Sequence, residues 1–140
     1  RDVIADAIAD YVDRHPDTSK AFASLGLRRY LSALHYAKVA VGNSSSGIIE
    51  VPSFGIPSLN IGDRQKGRLA SESVVNCGTG KDDILKGLRL CLSPEMRRRA
   101  KNADNPYAKD GTATLILDRL KHADLAALRT KHFYDIPVKG

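Results

Sequence analysis

Between Val39 and Arg68 the chain twice runs from a short apolar stretch into a loop of small and charged residues, and this repeat restricts it to a sheet whose strand ends carry polar loops. Val39-Ala40-Val41 meets Gly42-Asn43, then Ser44, Ser45, Ser46 and Gly47, after which Ile48, Ile49 and Val51 begin a buried helix face. That order predicts a strand, a tight loop and a helix N-terminus. The first backbone N–H groups of a helix lack intrahelical partners and sit at the positive end of its dipole, so such a loop suits an anion. The second run, Pro57 to Ile61, ends in Gly62-Asp63-Arg64-Gln65-Lys66-Gly67-Arg68, which predicts another strand followed by a cationic loop. In open α/β sheets ligands lie beyond the carboxyl ends of the strands, where both loops are expected.

Composition narrows the class. With 140 residues, 42% apolar and 27% charged, the chain has the makings of one globular domain with a core. No apolar run approaches the roughly 20 residues that cross a bilayer, and Arg1-Asp2-Val3-Ile4 lacks the layout of a signal peptide. A cytoplasmic protein with no membrane partner is the expectation. Cys77 and Cys91 are too few for a disulfide framework and have no CxxC or HxxxH neighbours, so two reduced thiols, no metal and no cofactor are expected. The net charge of +6 favours anionic partners without separating a nucleotide-sugar from a nucleic acid.

Taken in order, the chain alternates helices with short strands. Val3, Ile4, Ala7, Ile8, Tyr11 and Val12 have helical spacing, and His15-Pro16 stops that helix. Ala21 to Ser24 is a strand candidate, followed by a helix carrying Tyr30, Leu31, Leu34, His35 and Ala37. The helix after the serine loop is expected to be short, broken by Pro52, Gly55 and Pro57. Ser73 to Val75 is a further strand, Lys81 to Leu92 a helix, and Ser93 the cap of a basic helix starting at Pro94. Asn102 to Gly111 reads as a loop, and Thr112 to Leu128 as one long helix. The pattern predicts an α/β fold, a parallel Rossmann-like sheet with helices on both faces. Residues 1–128 form the expected domain and residues 129–140 a tail; a chain that opens on a helix with no strand before it reads as part of something longer.

Several residues could carry chemistry. The serine loop reads either as an ordinary helix cap or as a phosphate cradle. Arg64 and Arg68, four apart, read as a solvated cluster or as a pair of guanidinium forks for a diphosphate. Glu50 reads as a charge favouring a helix dipole or as an acceptor for ribose hydroxyls. A seryl hydrolase is disfavoured, because GxSxG is absent and His15, His35, His122 and His132 sit in no partner motif. Arg97 to Arg99 reads as a solvated face, with no aromatic platform nearby to suggest nucleic acid.

The wording of the stretch is specific. Gly42-Asn43-Ser44-Ser45-Ser46-Gly47-Ile48-Ile49-Glu50, Pro52-Ser53-Phe54-Gly55-Ile56-Pro57 and Asn60 to Arg68 closely resemble the UDP-N-acetylglucosamine 2-epimerases, in the hydrolysing branch that serves sialic or legionaminic acid synthesis. The resemblance runs from about Val3 to about Leu92 and implies a GT-B-type fold, of which this chain is the C-terminal, UDP-binding half without its first strand. It implies that Ser44 and Ser45 bind the diphosphate with Ser46 and Gly47 continuing the helix start, and that Glu50 holds the ribose. Arg64 and, less directly, Arg68 lie by the phosphates, and Leu25 and Tyr30 pack on the uracil; Tyr30 reads equally as a core aromatic. The catalytic acid–base residues are expected in an N-terminal domain outside this chain, so the fragment alone is expected to be inactive. The complete enzyme, a homo-oligomer by this reading, would eliminate UDP from UDP-N-acetylglucosamine and hydrate the glycal to N-acetylmannosamine. A non-hydrolysing epimerase, a GT-B glycosyltransferase domain and a non-catalytic nucleotide-binding module are the alternatives.

Overall fold

The structure, a computed structural model, describes residues 3–129 and 133. The chain divides into two compact units, residues 1–107 and 108–140. The first holds a parallel three-stranded sheet in the order β1 (Ala40–Gly42), β2 (Ser58–Ile61), β3 (Val74–Cys77). Its helices are α1 (Val3–Arg14), α2 (Gly26–Leu34), α3 (Ser46–Ile49), α4 (Lys81–Leu92) and α5 (Pro94–Asn102).

Register places Val41 beside Leu59 beside Val75, and Gly42 beside Asn60 beside Asn76. β2 is central and buried, which is why Ser58, Leu59 and Asn60 are all hidden from solvent. Side chains of neighbouring strand residues leave opposite faces, and two glycines show what lies on each. A Cβ on Gly47 of α3 would stand 2.6 Å from Ser58 Oγ, and one on Gly87 of α4 would stand 2.5 Å from Leu59 Cδ1. Helices α3 and α4 therefore cover opposite faces of the sheet, as the alternation predicts. The core is small: Leu34, Ile48, Val51, Leu59, Cys91, Met96 and Ala100 are buried, whereas α1 buries none of its residues and leaves Val3, Ile8 and Tyr11 exposed.

Several expectations are corrected. Ala21 to Ser24 forms no strand: its backbone groups join no ladder, and β1 pairs only with β2 among the described residues. The third strand lies at Val74–Cys77, shifted past Ser73, whose backbone carbonyl instead accepts from Ser58 N–H at 3.0 Å. The helix after the serine loop is short as expected, ending at Ile49, and Pro52 then occupies the first turn of a 3-10 helix, Val51–Phe54, where a missing N–H costs little.

Ser93 caps α5 as expected, its Oγ accepting from Met96 N–H at 3.2 Å. Ser93→Ala should cost about 1 kcal/mol, a fall of about 4 °C in melting temperature, measurable by calorimetry.

In the second unit α6 spans Thr112–Lys121, shorter than the helix expected to reach Leu128. Asp124 Oδ1 accepts from Ala126 N–H at 3.0 Å and Ala127 N–H at 3.1 Å, which starts a separate 3-10 turn at Ala127–Arg129. The expected tail, residues 129–140, lies outside the described residues except for Phe133 and the backbone of Arg129.

Candidate functional site

β1 and β2 end side by side, so the loops that follow them emerge from the same edge of the sheet. The first loop, Asn43 to Ser45, turns directly into α3. Ser44 Oγ accepts from Ser46 N–H at 3.3 Å, whereas Ser45, the residue before the helix, makes no side-chain capping bond. One hydroxyl therefore serves the turn and another is left over. Ser46 Oγ lies 2.5 Å from Tyr30 OH, which ties α2 to the start of α3. Tyr30 is thus half-buried against the serine loop, while Leu25 sits half-buried immediately before α2.

The second loop is a pair of turns, with Lys66 N–H donating to Asp63 O at 3.0 Å and Arg68 N–H to Gln65 O at 3.3 Å. Gly67 between them has φ +82°, a left-handed conformation that ends any helical continuation. Arg64 and Arg68 are both exposed, and of the two only Arg68 lines the hollow described next.

Two adjoining hollows lie at this edge. The larger, about 430 Å³, is lined by Ile48, Asn60, Gln65, Lys66, Arg68 and Cys77 among others. The smaller, about 60 Å³, is lined by Tyr30, Ser44, Gly47, Ser58 and Asn60 together with β1. Asn60 borders both. Its Nδ2 donates to Asn76 Oδ1 at 2.8 Å, while its buried Oδ1 has no partner among the described residues. The loops are also joined directly: buried Gln65 donates through Nε2 to the Asn43 carbonyl at 2.9 Å. From the other side Asn105 Nδ2 donates to Ile49 O at 2.8 Å and lies 2.7 Å from Ser53 Oγ, satisfying a helix-end carbonyl and holding α3 in place.

Of the residues singled out from sequence, Ser44, Gly47, Tyr30 and Arg68 line the two hollows, and Ser46 touches Tyr30. Ser45 stands between Ser44 and α3; Arg64, Leu25 and Glu50 line neither hollow. Glu50 follows α3 directly, with its Oε2 buried and unpartnered among the described residues. Asn60, Gln65 and Asn105 were not anticipated. Asn60 had a signal, a polar residue between Leu59 and Ile61 in a buried strand; Gln65 and Asn105 had none, since only folding brings them to Asn43 and Ile49.

The hollow offers little to a nucleophilic mechanism. Burial pushes the Cys91 thiol up to about 11, with Cys77 adding to it, and burial together with Asp83 also raises Cys77. Neither supplies a thiolate near neutral pH. His15 packs on Tyr11, His35 on Phe54, and His122 on Asp118, none of them on the serine loop; His132 lies outside the described residues. No cluster of metal-ligating side chains occurs among the described residues.

A parallel Rossmann-like sheet with hydroxyl- and guanidinium-bearing loops joined at the carboxyl ends of neighbouring strands defines the open α/β class, whose ligands lie at that edge. The family profile described as UDP-N-acetylglucosamine 2-epimerase matches residues 1–121, and the chain belongs to that family. It is 37% identical over 112 residues to polysialic acid biosynthesis protein P7 of Escherichia coli, covering 77% of this chain and 28% of that protein. It is 35% identical over 135 residues to the GDP/UDP-N,N'-diacetylbacillosamine 2-epimerase (hydrolyzing) of Campylobacter jejuni, covering 96% of this chain and 35% of that one. The chain thus spans about a third of these relatives. A Listeria monocytogenes crystal structure, of a protein provisionally named UDP-N-acetylglucosamine 2-epimerase, superposes with a TM-score of 0.66 at 20% identity, covering 94% of this chain and 36% of that one. That likeness shows the fold, a Rossmann-like parallel α/β sheet.

Proposed function

We propose that this chain is the UDP-binding half of a hydrolysing UDP-N-acetylglucosamine 2-epimerase. The observation that carries the reading is the Gln65–Asn43 hydrogen bond, which locks the arginine loop onto the serine loop at the ends of adjacent strands. A diphosphate held there would meet Ser44, Ser45 and the start of α3 from one side and Lys66, Arg68 and Arg64 from the other. Ser46 and Gly47 continue the cradle, Glu50 takes the ribose hydroxyls, and Leu25 with Tyr30 forms the wall for the base.

In the reaction, UDP leaves C1 of the sugar with its bonding electrons as the C2 proton is removed, giving a glycal; water then adds across the double bond with inversion at C2. The groups of this chain stabilise the charge that gathers on the departing diphosphate, and preorganised donors of this kind are worth about 3 kcal/mol each in acyl-transfer sites. Proton transfer at C2 belongs to a second domain facing this edge, in an assembly that is homo-oligomeric. The free thiols of Cys77 and Cys91 fit a cytoplasmic enzyme, and no helix among the described residues is long and apolar enough to cross a membrane. The names of the relatives give no support to a glycosyltransferase or a non-catalytic module.

The test is product analysis with the intact enzyme: UDP-N-acetylglucosamine and water should give free UDP and N-acetylmannosamine. An equilibrium of two UDP-sugars would overturn the hydrolysing assignment. Arg68→Ala, at an exposed side chain, should weaken UDP binding about 10-fold, the worth of one charge-assisted contact, without lowering the melting temperature. Unchanged calorimetric affinity would remove Arg68 from the site.

A further inference from the structure

A strongly cationic hollow lies at the opposite end of the strands. It encloses about 430 Å³ and is lined by Lys38 ahead of β1, by the Phe54-to-Pro57 segment ahead of β2, and by Arg97, Arg98 and Lys101 of α5. Four positive side chains border it and no carboxylate does, whereas the larger hollow at the candidate nucleotide site sets Lys66 and Arg68 against Asp63. None of the four has an ion-pair or side-chain hydrogen-bond partner among the described residues. Arg99 is the contrast: its Nε lies 3.1 Å from Glu72 Oε2, drawn away from the group.

The arrangement is built rather than incidental. Helical spacing puts Arg97 and Arg98 within one turn of Lys101, where like charges repel each other unless an anion lies among them. Gly55, at φ +64°, lets the loop turn back over α5, and a Cβ there would stand 3.5 Å from Lys101 Cα. Phe54, set edge-on to His35 with ring centroids 4.9 Å apart, adds an apolar wall. A concave surface of one sign with low-dielectric walls concentrates the field it presents to a ligand. The volume falls in the range of small-molecule sites.

We propose that this hollow is a second anion site, distinct from the nucleotide edge by the length of a strand, roughly 13 Å for four residues, and that it takes a polyphosphate chain. The cations come from both the approach to β1 and a full turn of α5, and consecutive phosphates bring a number of charges that matches theirs. Nucleoside triphosphates and inorganic polyphosphate share this chemistry.

The experiment is a calorimetric titration of the intact protein with sodium tripolyphosphate in saturating UDP, at low and moderate salt. Saturable binding is expected at one site per chain, with Arg97→Gln/Arg98→Gln/Lys101→Gln together weakening it at least about 10-fold. Lys38→Gln, from a different segment, should weaken it too, whereas Arg99→Gln should not. UDP affinity should be unchanged throughout. A parallel ATP titration separates the sources: tighter binding than tripolyphosphate indicates a nucleoside triphosphate, equal binding the phosphate chain alone. Absence of saturation by either ligand, or an equal loss from Arg99→Gln, which would reduce the effect to overall charge, overturns the proposal.

Discussion

Glu50→Gln is expected to weaken UDP binding by roughly 10- to 150-fold, the cost of a lost hydrogen bond to a charged group, while leaving inorganic pyrophosphate binding nearly unchanged. The difference between the ligands is the ribose, for which Glu50 is the proposed acceptor. Glu50 follows α3, at the helix end where negative charge gains nothing from the dipole. It also precedes the 3-10 turn at Val51–Phe54, yet its side chain makes no capping bond there. Its Oε2 is buried without a partner among the described residues, a condition native proteins rarely tolerate unless a ligand or water completes it. A vicinal diol supplies two donors to one carboxylate, and glutamine keeps the shape while replacing one acceptor oxygen with a donor. Thermal unfolding separates binding from architecture. Glu50→Gln should hold or raise the melting temperature of the ligand-free protein, whereas loss of a structural carboxylate would lower it. Equal losses for UDP and pyrophosphate would sink the ribose assignment.

What could be read from the sequence follows from the range of each interaction. The strands at Val39–Val41 and Pro57–Ile61 and the helix at Lys81–Leu92 are announced by runs of neighbouring apolar residues, and they stand close to where expected. Local chemistry likewise announces the Ser93 cap. Ala21–Ser24 fails as a strand because strand formation needs a partner edge, which no local pattern supplies. The long helix expected from Thr112 fails because Asp124 offers its carboxylate to the N–H groups of Ala126 and Ala127, a local competitor that apolar spacing does not reveal. At the site, Ser44 and Gly47 are legible because a helix start declares itself in sequence. The joining contacts are not: Gln65 meets Asn43 across 22 residues and Asn105 meets Ile49 across 56. That Arg68 rather than Arg64 lines the larger hollow is likewise not written in their four-residue spacing.

Gly87→Val should destabilise the protein by about 3 kcal/mol, the upper end of overpacking costs, and lower its melting temperature by more than 10 °C. In an open helix the expectation has the opposite sign for the smallest step, since Gly→Ala gains up to about 1 kcal/mol from reduced backbone entropy in the unfolded chain. Here α4 lies so close to the sheet that a Cβ on Gly87 would stand 2.5 Å from Leu59 Cδ1 and 3.5 Å from Cys77 Cβ. Leu59 is fully buried at the centre of β2, so its methyl has nowhere to retreat without moving the helix. The steric cost exceeds the helix gain: Gly87→Ala should come out mildly destabilising, and Gly87→Val, with two further methyls and a β-branched penalty, strongly so. A double-mutant cycle assigns the cause. Leu59→Ala removes the opposing methyls, so adding Gly87→Ala to it should be stabilising, with a coupling of about 1–2 kcal/mol. Lys86→Ala, one residue earlier and exposed, should stay within about 0.5 kcal/mol of the parent. Because β2 carries Asn60 and leads into the loop of Gln65 and Arg68, displacing α4 should also loosen the candidate nucleotide edge. Gly87→Val melting with the parent, or a cycle with no coupling, would show that α4 stands further from the sheet than the Gly87–Leu59 approach requires.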